Sequence, residues 1–119
     1  MTPRPTIMTS RARRDLADCV HFIRRHPRGK PADRRRDILW EMACIAEGPE
    51  HRRVEIMRAS GVYLRRRSAA QFVIVYAYFK PTKSRPKGLV SIRAIRHRRV
   101  RDVFLGVRDT SGEAPPQYG

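Results

Sequence analysis

The first half of the chain has apolar residues at helical spacing. A stripe at positions i, i+3, i+4 and i+7 predicts an amphipathic helix, and its members are Leu16, Cys19, Val20 and Ile23. Thr9 or Ser10 is suited to cap its N-terminus, and the helix is expected to run to about His26, where "HPRG" ends it.

A second helix is predicted to begin at Pro31, because proline suits the first helical turn. Its wider apolar stripe comprises Ile38, Leu39, Met42, Ala43, Ile45 and Ala46. The "GP" at Gly48 and Pro49 ends the helix. The two helices together predict an N-terminal helical hairpin.

The second half of the chain has the patterns of β-strands. "QFVIVYAYF" (71–79) is apolar on both faces and rich in β-branched and aromatic residues, which predicts a central strand. "VYLRRRS" (62–68) and Leu89 to about Arg96 are predicted to flank it, with "KPTKSRPKG" as a hairpin loop. An antiparallel meander follows from this order, and "PTIMTS" (5–10) is expected to form an edge strand.

A last apolar stripe at helical spacing predicts a short C-terminal helix that contains Val100, Val103, Phe104 and Val107. Residues 110–119 are expected to form a disordered tail. The sequence therefore predicts a single α+β domain over residues 1–109, in which the helical hairpin packs on a small antiparallel β-sheet.

Charge points to a polyanionic partner. The chain has 119 residues with 27 Lys+Arg and 11 Asp+Glu, which gives a formal net charge of +16. Such a surface attracts nucleic acid, a ribosome or an acidic protein in a salt-dependent way. Because the excess positive charges repel one another, an acidic protein partner would also reduce the electrostatic repulsion within the folded domain.

Cys19 and Cys44 fall within helical patterns and belong to no CxxC motif, so we expect reduced thiols, with no zinc site, no other metal and no cofactor. The chain begins without the apolar core of a secretory signal, and it has no apolar run long enough to span a bilayer. A cytoplasmic protein without a membrane partner is expected.

Basic residues gather where the closing strand meets the last predicted helix, in "VSIRAIRHRRVRDVF" (90–104). The order strand, helix, helix, three strands and short helix, together with "RARRDLADCVHFI", "FVIVY" and this closing segment, resembles the RelE/ParE superfamily of bacterial toxins. The resemblance extends from about Ile7 to Phe104. It implies the toxin of a type II toxin–antitoxin pair, which arrests bacterial growth until a cognate acidic antitoxin covers it.

Two mechanisms occur among the proteins that the chain resembles. RelE-like toxins cut mRNA on the ribosome, whereas ParE-like toxins inhibit DNA gyrase and cleave nothing. The positions that match the arginine, second basic residue and tyrosine of RelE-like nucleases carry Val73, Arg98 and Phe104. Since valine has no charge and phenylalanine no hydroxyl, the hypothesis leans toward gyrase inhibition, with the mRNA endoribonuclease as the alternative. The high positive charge favours the alternative.

Cleavage of RNA by its 2′-hydroxyl needs proton transfer and cations at the phosphate. His97 is the candidate for proton transfer and Arg98 for charge stabilisation, while a surface or packing role is the alternative for His97. The residues expected to bind nucleic acid or the target are Arg65, Arg66, Arg67, Arg93 and Arg99. If the strand ends share one edge of the sheet, Arg65 to Arg67 would converge with His97 and its neighbours.

Aromatic residues are interpreted as packing residues. Trp40 is expected to be half-buried in the core or hairpin, with a partner contact as the alternative. Tyr63, Tyr76 and Tyr78 can stack on bases, but on strands they more often pack within a sheet. A third functional hypothesis, a basic nucleic-acid-binding module without toxicity, is compatible with the charge alone.

Overall fold

The chain folds into an α+β structure with two helices and one five-stranded mixed sheet. The structure is a computed structural model that describes residues 4–25 and 31–107, and side chains for residues 4–21 and 33–107. The elements in chain order are β1 (Thr6–Met8), α1 (Ser10–Arg25), α2 (Pro31–Glu47), a 3₁₀ turn (Pro49–His51), β2 (Ile56–Met57), β3 (Tyr63–Ala69), β4 (Phe72–Phe79) and β5 (Leu89–His97).

The strands lie in the order β1-β5-β4-β3-β2. The predicted meander of β3, β4 and β5 is antiparallel, and the short β2 continues it on the β3 edge. The prediction of a wholly antiparallel sheet is wrong at β1, which pairs in parallel with β5 through Ile7 and Ser91. A local sequence pattern indicates that a segment is extended, but it does not give the direction of that segment relative to its partner strand. For β1 this direction depends on the path of the chain through the helices and the meander to β5.

Thr9 fixes the join between β1 and α1. Its hydroxyl accepts the backbone N–H of Ala12 at 3.1 Å, as an N-cap does, and donates to the carbonyl of Arg93 in β5 at 3.2 Å. Helix α1 packs against β5, and α2 packs against α1 and β3. Residues 26–30, which join the helices in the predicted hairpin, lie outside the described residues.

Two apolar clusters fill the two faces of the sheet. The cluster under the helices includes Ile38, Ile45, Ile74, Tyr76 and Ile92. The cluster on the opposite face includes Leu64, Val73, Val75, Ala94, Val103 and Val107. Strand β4 is buried on both faces, which confirms its predicted central position, because successive strand residues alternate between the two clusters. In the described part of the chain, neither helix is long and apolar enough to cross a membrane.

The predicted C-terminal helix does not form over residues 98–107, which are a series of turns. Asp102 accepts the backbone N–H of Phe104 through its side chain at 3.0 Å, and Gly106 has a positive φ of 75°. Both features replace helical hydrogen bonding with tight turns. Val103 and Val107 still become buried against the sheet without a helix, whereas Val100 of the same stripe is 40 % exposed. The tail predicted for residues 110–119 lies outside the described residues.

Candidate functional site

The predicted arginine run of β3 is divided between the two faces of the sheet. Arg65 donates to the carbonyls of Pro49 and Arg52, each at 3.0 Å. Arg67 lies on the same face and forms an ion pair with Glu41 of α2.

Arg66 lies on the opposite face of β3. It pairs with Glu55 at 2.8 Å, and its guanidinium carbon lies 6.0 Å from the ring centre of Phe104. Because successive strand residues point to opposite faces, three consecutive arginines cannot form one patch.

His97 faces α1. Its ring meets Phe72 edge-on with centroids 5.7 Å apart, and its Nδ1 accepts the backbone N–H of Arg99 at 3.2 Å. Asp15 and Asp18 of α1 line the adjacent depression. The imidazole therefore packs beside the helix and is oriented by the turn that follows β5.

The ends of β3 and β5 lie at the same end of the sheet, but β3 and β5 are not adjacent strands. Phe72 of β4 pairs with both Ala69 of β3 and His97 of β5, so β4 separates the arginine-bearing strand from His97. At the usual spacing, two strand intervals amount to about 10 Å. Arg98 and Arg99 lie exposed in the turn after β5, where they can meet a partner.

Arg93 is buried, with 2 % of its surface exposed. It is the extra residue of a β-bulge, because Val75 pairs with Ala94 while Tyr76 pairs with Ile92. Its guanidinium carbon lies 5.8 Å from the ring centre of Phe79. Arg93 thus belongs to the packing of the sheet and does not line the outer surface with the other predicted binding residues.

A cationic cleft lies on the Arg66 side of β3, with a volume of about 460 Å³. We call it the His51 cleft, and it is lined by His51, Arg52, Arg53, Glu55, Arg66 and Ser68. It combines three arginines with one carboxylate, so an anion is its natural ligand. His51 and Glu55 supply groups able to accept and donate protons beside that anion.

His51 is placed by the short turn after α2. Its backbone N–H bonds to the carbonyl of Gly48 at 3.1 Å, and its imidazole covers the α-carbon of Gly48. A Cβ at Gly48 would lie 2.5 Å from Cε1 of His51, so any larger residue would require the exposed ring to shift. Sequence reasoning missed His51 because "PEHRRVE" has no periodicity. Its usable signal was the "GP" stop followed directly by a histidine and two arginines.

The aromatic residues differ in exposure. Tyr76 is fully buried, its hydroxyl donates to the carbonyl of Pro49 at 2.7 Å, and burial raises the pKa of that hydroxyl against the opposing effect of nearby arginines. The expectation that Trp40 is half-buried is wrong, since 63 % of it is exposed. On a helix, Trp40 lies about 200° around the axis from both Ile38 and Met42, the buried residues that flank it.

Comparison of the chain with protein-family models and with curated proteins finds no match. Among the residues that the structure describes, no three His, Cys, Asp or Glu side chains are grouped to hold a metal ion.

Proposed function

We propose that this chain is the toxin of a type II toxin–antitoxin pair of the RelE/ParE kind, and that it arrests bacterial growth by binding its target without cutting it. DNA gyrase is the proposed target, as it is for ParE-like toxins. The order of β1, two helices and the β3–β4–β5 meander supports this proposal. The basic turn after β5 lies where the resemblance places the functional end of the domain.

The position of His97 is the observation that most favours binding over cleavage. A nuclease at the predicted place needs an imidazole and arginines around one phosphate. His97 instead packs against Phe72 beside α1. Arg67 forms an ion pair with Glu41 of α2, and its strand is separated from His97 by β4. Phe104 contributes an aromatic ring beside Arg66 but no hydroxyl for proton transfer.

An acidic antitoxin is the proposed inhibitor. The net charge of +16 favours association with an acidic chain. Arg13 and Arg14 of α1 and Arg98 and Arg99 after β5 are exposed, so they are available to such a chain. Covering Arg98 and Arg99 would block the proposed target-binding surface, and pairing all four arginines with carboxylates would reduce their mutual repulsion.

A supercoiling assay tests the proposed target. Purified protein should inhibit the ATP-dependent supercoiling of relaxed plasmid by DNA gyrase, and Arg98→Ala should weaken inhibition several-fold. Arg14→Ala on the surface of α1 is the matched control for the loss of one charge. Full gyrase activity at a saturating concentration of the folded protein would exclude gyrase as the target.

Cleavage of mRNA on the ribosome is the second candidate function, and the His51 cleft favours it. In this alternative, His51 or Glu55 accepts the 2′-hydroxyl proton, O2′ bonds to phosphorus, and the P–O5′ bond breaks. The products are a 2′,3′-cyclic phosphate and a 5′-hydroxyl that takes up a proton. Codon-phased mRNA 5′ ends after induction, lost in His51→Ala, would support this candidate against gyrase inhibition.

A further inference from the structure

A second cleft lies at the opposite end of the sheet from His97, where β3 begins and β4 runs into the loop before β5. It has a volume of about 530 Å³. We call it the tyrosine cleft and define it by Tyr63, Arg65, Tyr78, Lys80 and Arg85. It shares no lining residue with the His51 cleft. None of its lining residues is acidic, so the lining of the cleft carries a net positive charge.

The two tyrosines are neighbours across the sheet. Leu64 pairs with Ala77, and this antiparallel register places Tyr63 opposite Tyr78 on the same face. Tyr78 is buried and Tyr63 is 47 % exposed, so the pair forms a fixed inner ring and an accessible outer ring. An exposed ring beside a fixed one is a surface on which a nucleobase can stack.

Arg65 connects the aromatic rings to the cations. Its guanidinium carbon lies 6.0 Å from the ring centre of Tyr78. Its two hydrogen bonds go to the carbonyls of Pro49 and Arg52, which orient the group without neutralising its charge. Arg65 thus presents an oriented positive charge beside the stacking surface.

The loop that carries Lys80 and Arg85 is built by its own hydrogen bonds. The backbones of Thr82 and Arg85 bond to each other in both directions, at 2.9 and 3.1 Å. Gly88 closes the loop with a φ of 71°, and a Cβ there would lie 2.6 Å from the carbonyl oxygen of Phe79. The loop is therefore ordered before any ligand arrives, which lowers the entropic cost of binding.

We propose that the tyrosine cleft binds a single-stranded polynucleotide, with a base stacked on Tyr63 and backbone phosphates on Lys80 and Arg85. Aromatic side chains beside cations are the usual means of holding single strands without reading their sequence. These contacts are to a base and to phosphates, so they do not distinguish RNA from DNA. The site is separate from the proposed target surface, so it does not depend on growth arrest.

Binding of short labelled oligouridylate and oligothymidylate by fluorescence anisotropy tests the site in the full chain. Tyr63→Ala should weaken binding about tenfold through lost stacking, and Tyr63→Phe should restore it. Trp40→Ala is the matched control, since Trp40 is an exposed aromatic residue outside the cleft, and it should leave the affinity nearly unchanged. Binding of either strand supports the proposal, and the ratio of their dissociation constants identifies the preferred sugar.

Two further measurements separate a stacking site from general attraction to charge. A duplex of the same length should bind more weakly than the single strand although it carries more phosphates, because its bases are already stacked. Lys80→Ala should reduce the slope of log Kd against log salt by about 0.7, and Lys83→Ala, in the same loop but outside the cleft lining, should reduce it less. Equal losses in Tyr63→Ala and Trp40→Ala, or a duplex bound as tightly as the single strand, would overturn the proposal.

Discussion

Arg66 and Arg67 are adjacent in the chain, but they pair with carboxylates on opposite faces of the sheet. Arg67 joins β3 to α2 through Glu41, and the two side chains are only 18 % and 21 % exposed. Arg66 pairs with Glu55 and is 49 % exposed. The two arginines therefore have different structural roles despite identical chemistry.

Substitution of Arg67 should be more destabilising than substitution of Arg66. Arg67→Ala leaves the half-buried Glu41 carboxylate without its cation, so we expect the free energy of unfolding to fall by about 2 kcal/mol. Arg66→Ala removes a more exposed pair and should cost less than about 1 kcal/mol. Urea unfolding of both variants measures the difference. Equal losses would contradict the ion pair between β3 and α2.

The sequence predicted the elements whose patterns are local. The stripe of α1, the apolar run of β4 and the alternation of β3 all led to strands and helices close to those observed. The parallel pairing of β1 and the short β2 were not predictable in this way. Both depend on contacts between distant segments, and β2 contains only Ile56 and Met57.

The candidate site was harder to predict because residues that are adjacent in the sequence do not necessarily lie close together in space. Strand alternation separates Arg66 from Arg65 and Arg67, and the width of β4 separates Arg67 from His97. His51 was missed because its position depends on a turn that has no sequence period. The alternation of β3 was nevertheless visible in the sequence and would have divided the arginine run correctly.

Gly48→Ala should displace the imidazole of His51. The φ of −147° at Gly48 is open to alanine, so the clash with the ring, and not the backbone, sets the cost, which we expect to be about 1 kcal/mol. In a His51→Ala background the same substitution should be nearly neutral. A double-mutant cycle from urea unfolding measures this coupling. The same cost in both backgrounds would show that the ring does not occupy the space over Gly48.

Cys19 should make stability sensitive to alkali. Burial, reinforced by Asp15 and Asp18, raises the pKa of its thiol from 9.0 to about 12. The folded chain keeps this proton where the unfolded chain loses it, so the contribution is complete below pH 9 and is lost as pH rises from 9 toward 12. The stability difference between the native chain and Cys19→Ala should therefore shrink across this range.

A second buried residue controls for the loss of packing in that comparison. Met42→Ala also empties space in the cluster under the helices but removes no ionisable group. Its stability difference from the native chain should stay constant over the same pH range. Parallel pH dependences for the two variants would contradict the raised pKa of Cys19.

Growth after induction of the chain alone is the most direct test of the proposed toxin. Colony counts of a bacterial culture should fall when the chain is expressed, and co-expression of a small acidic protein encoded beside it should restore them. Ile74→Asp, which places a carboxylate in the buried centre of β4, should not fold and should have no effect on growth. Unchanged growth with the native chain present in folded form would contradict the proposed function.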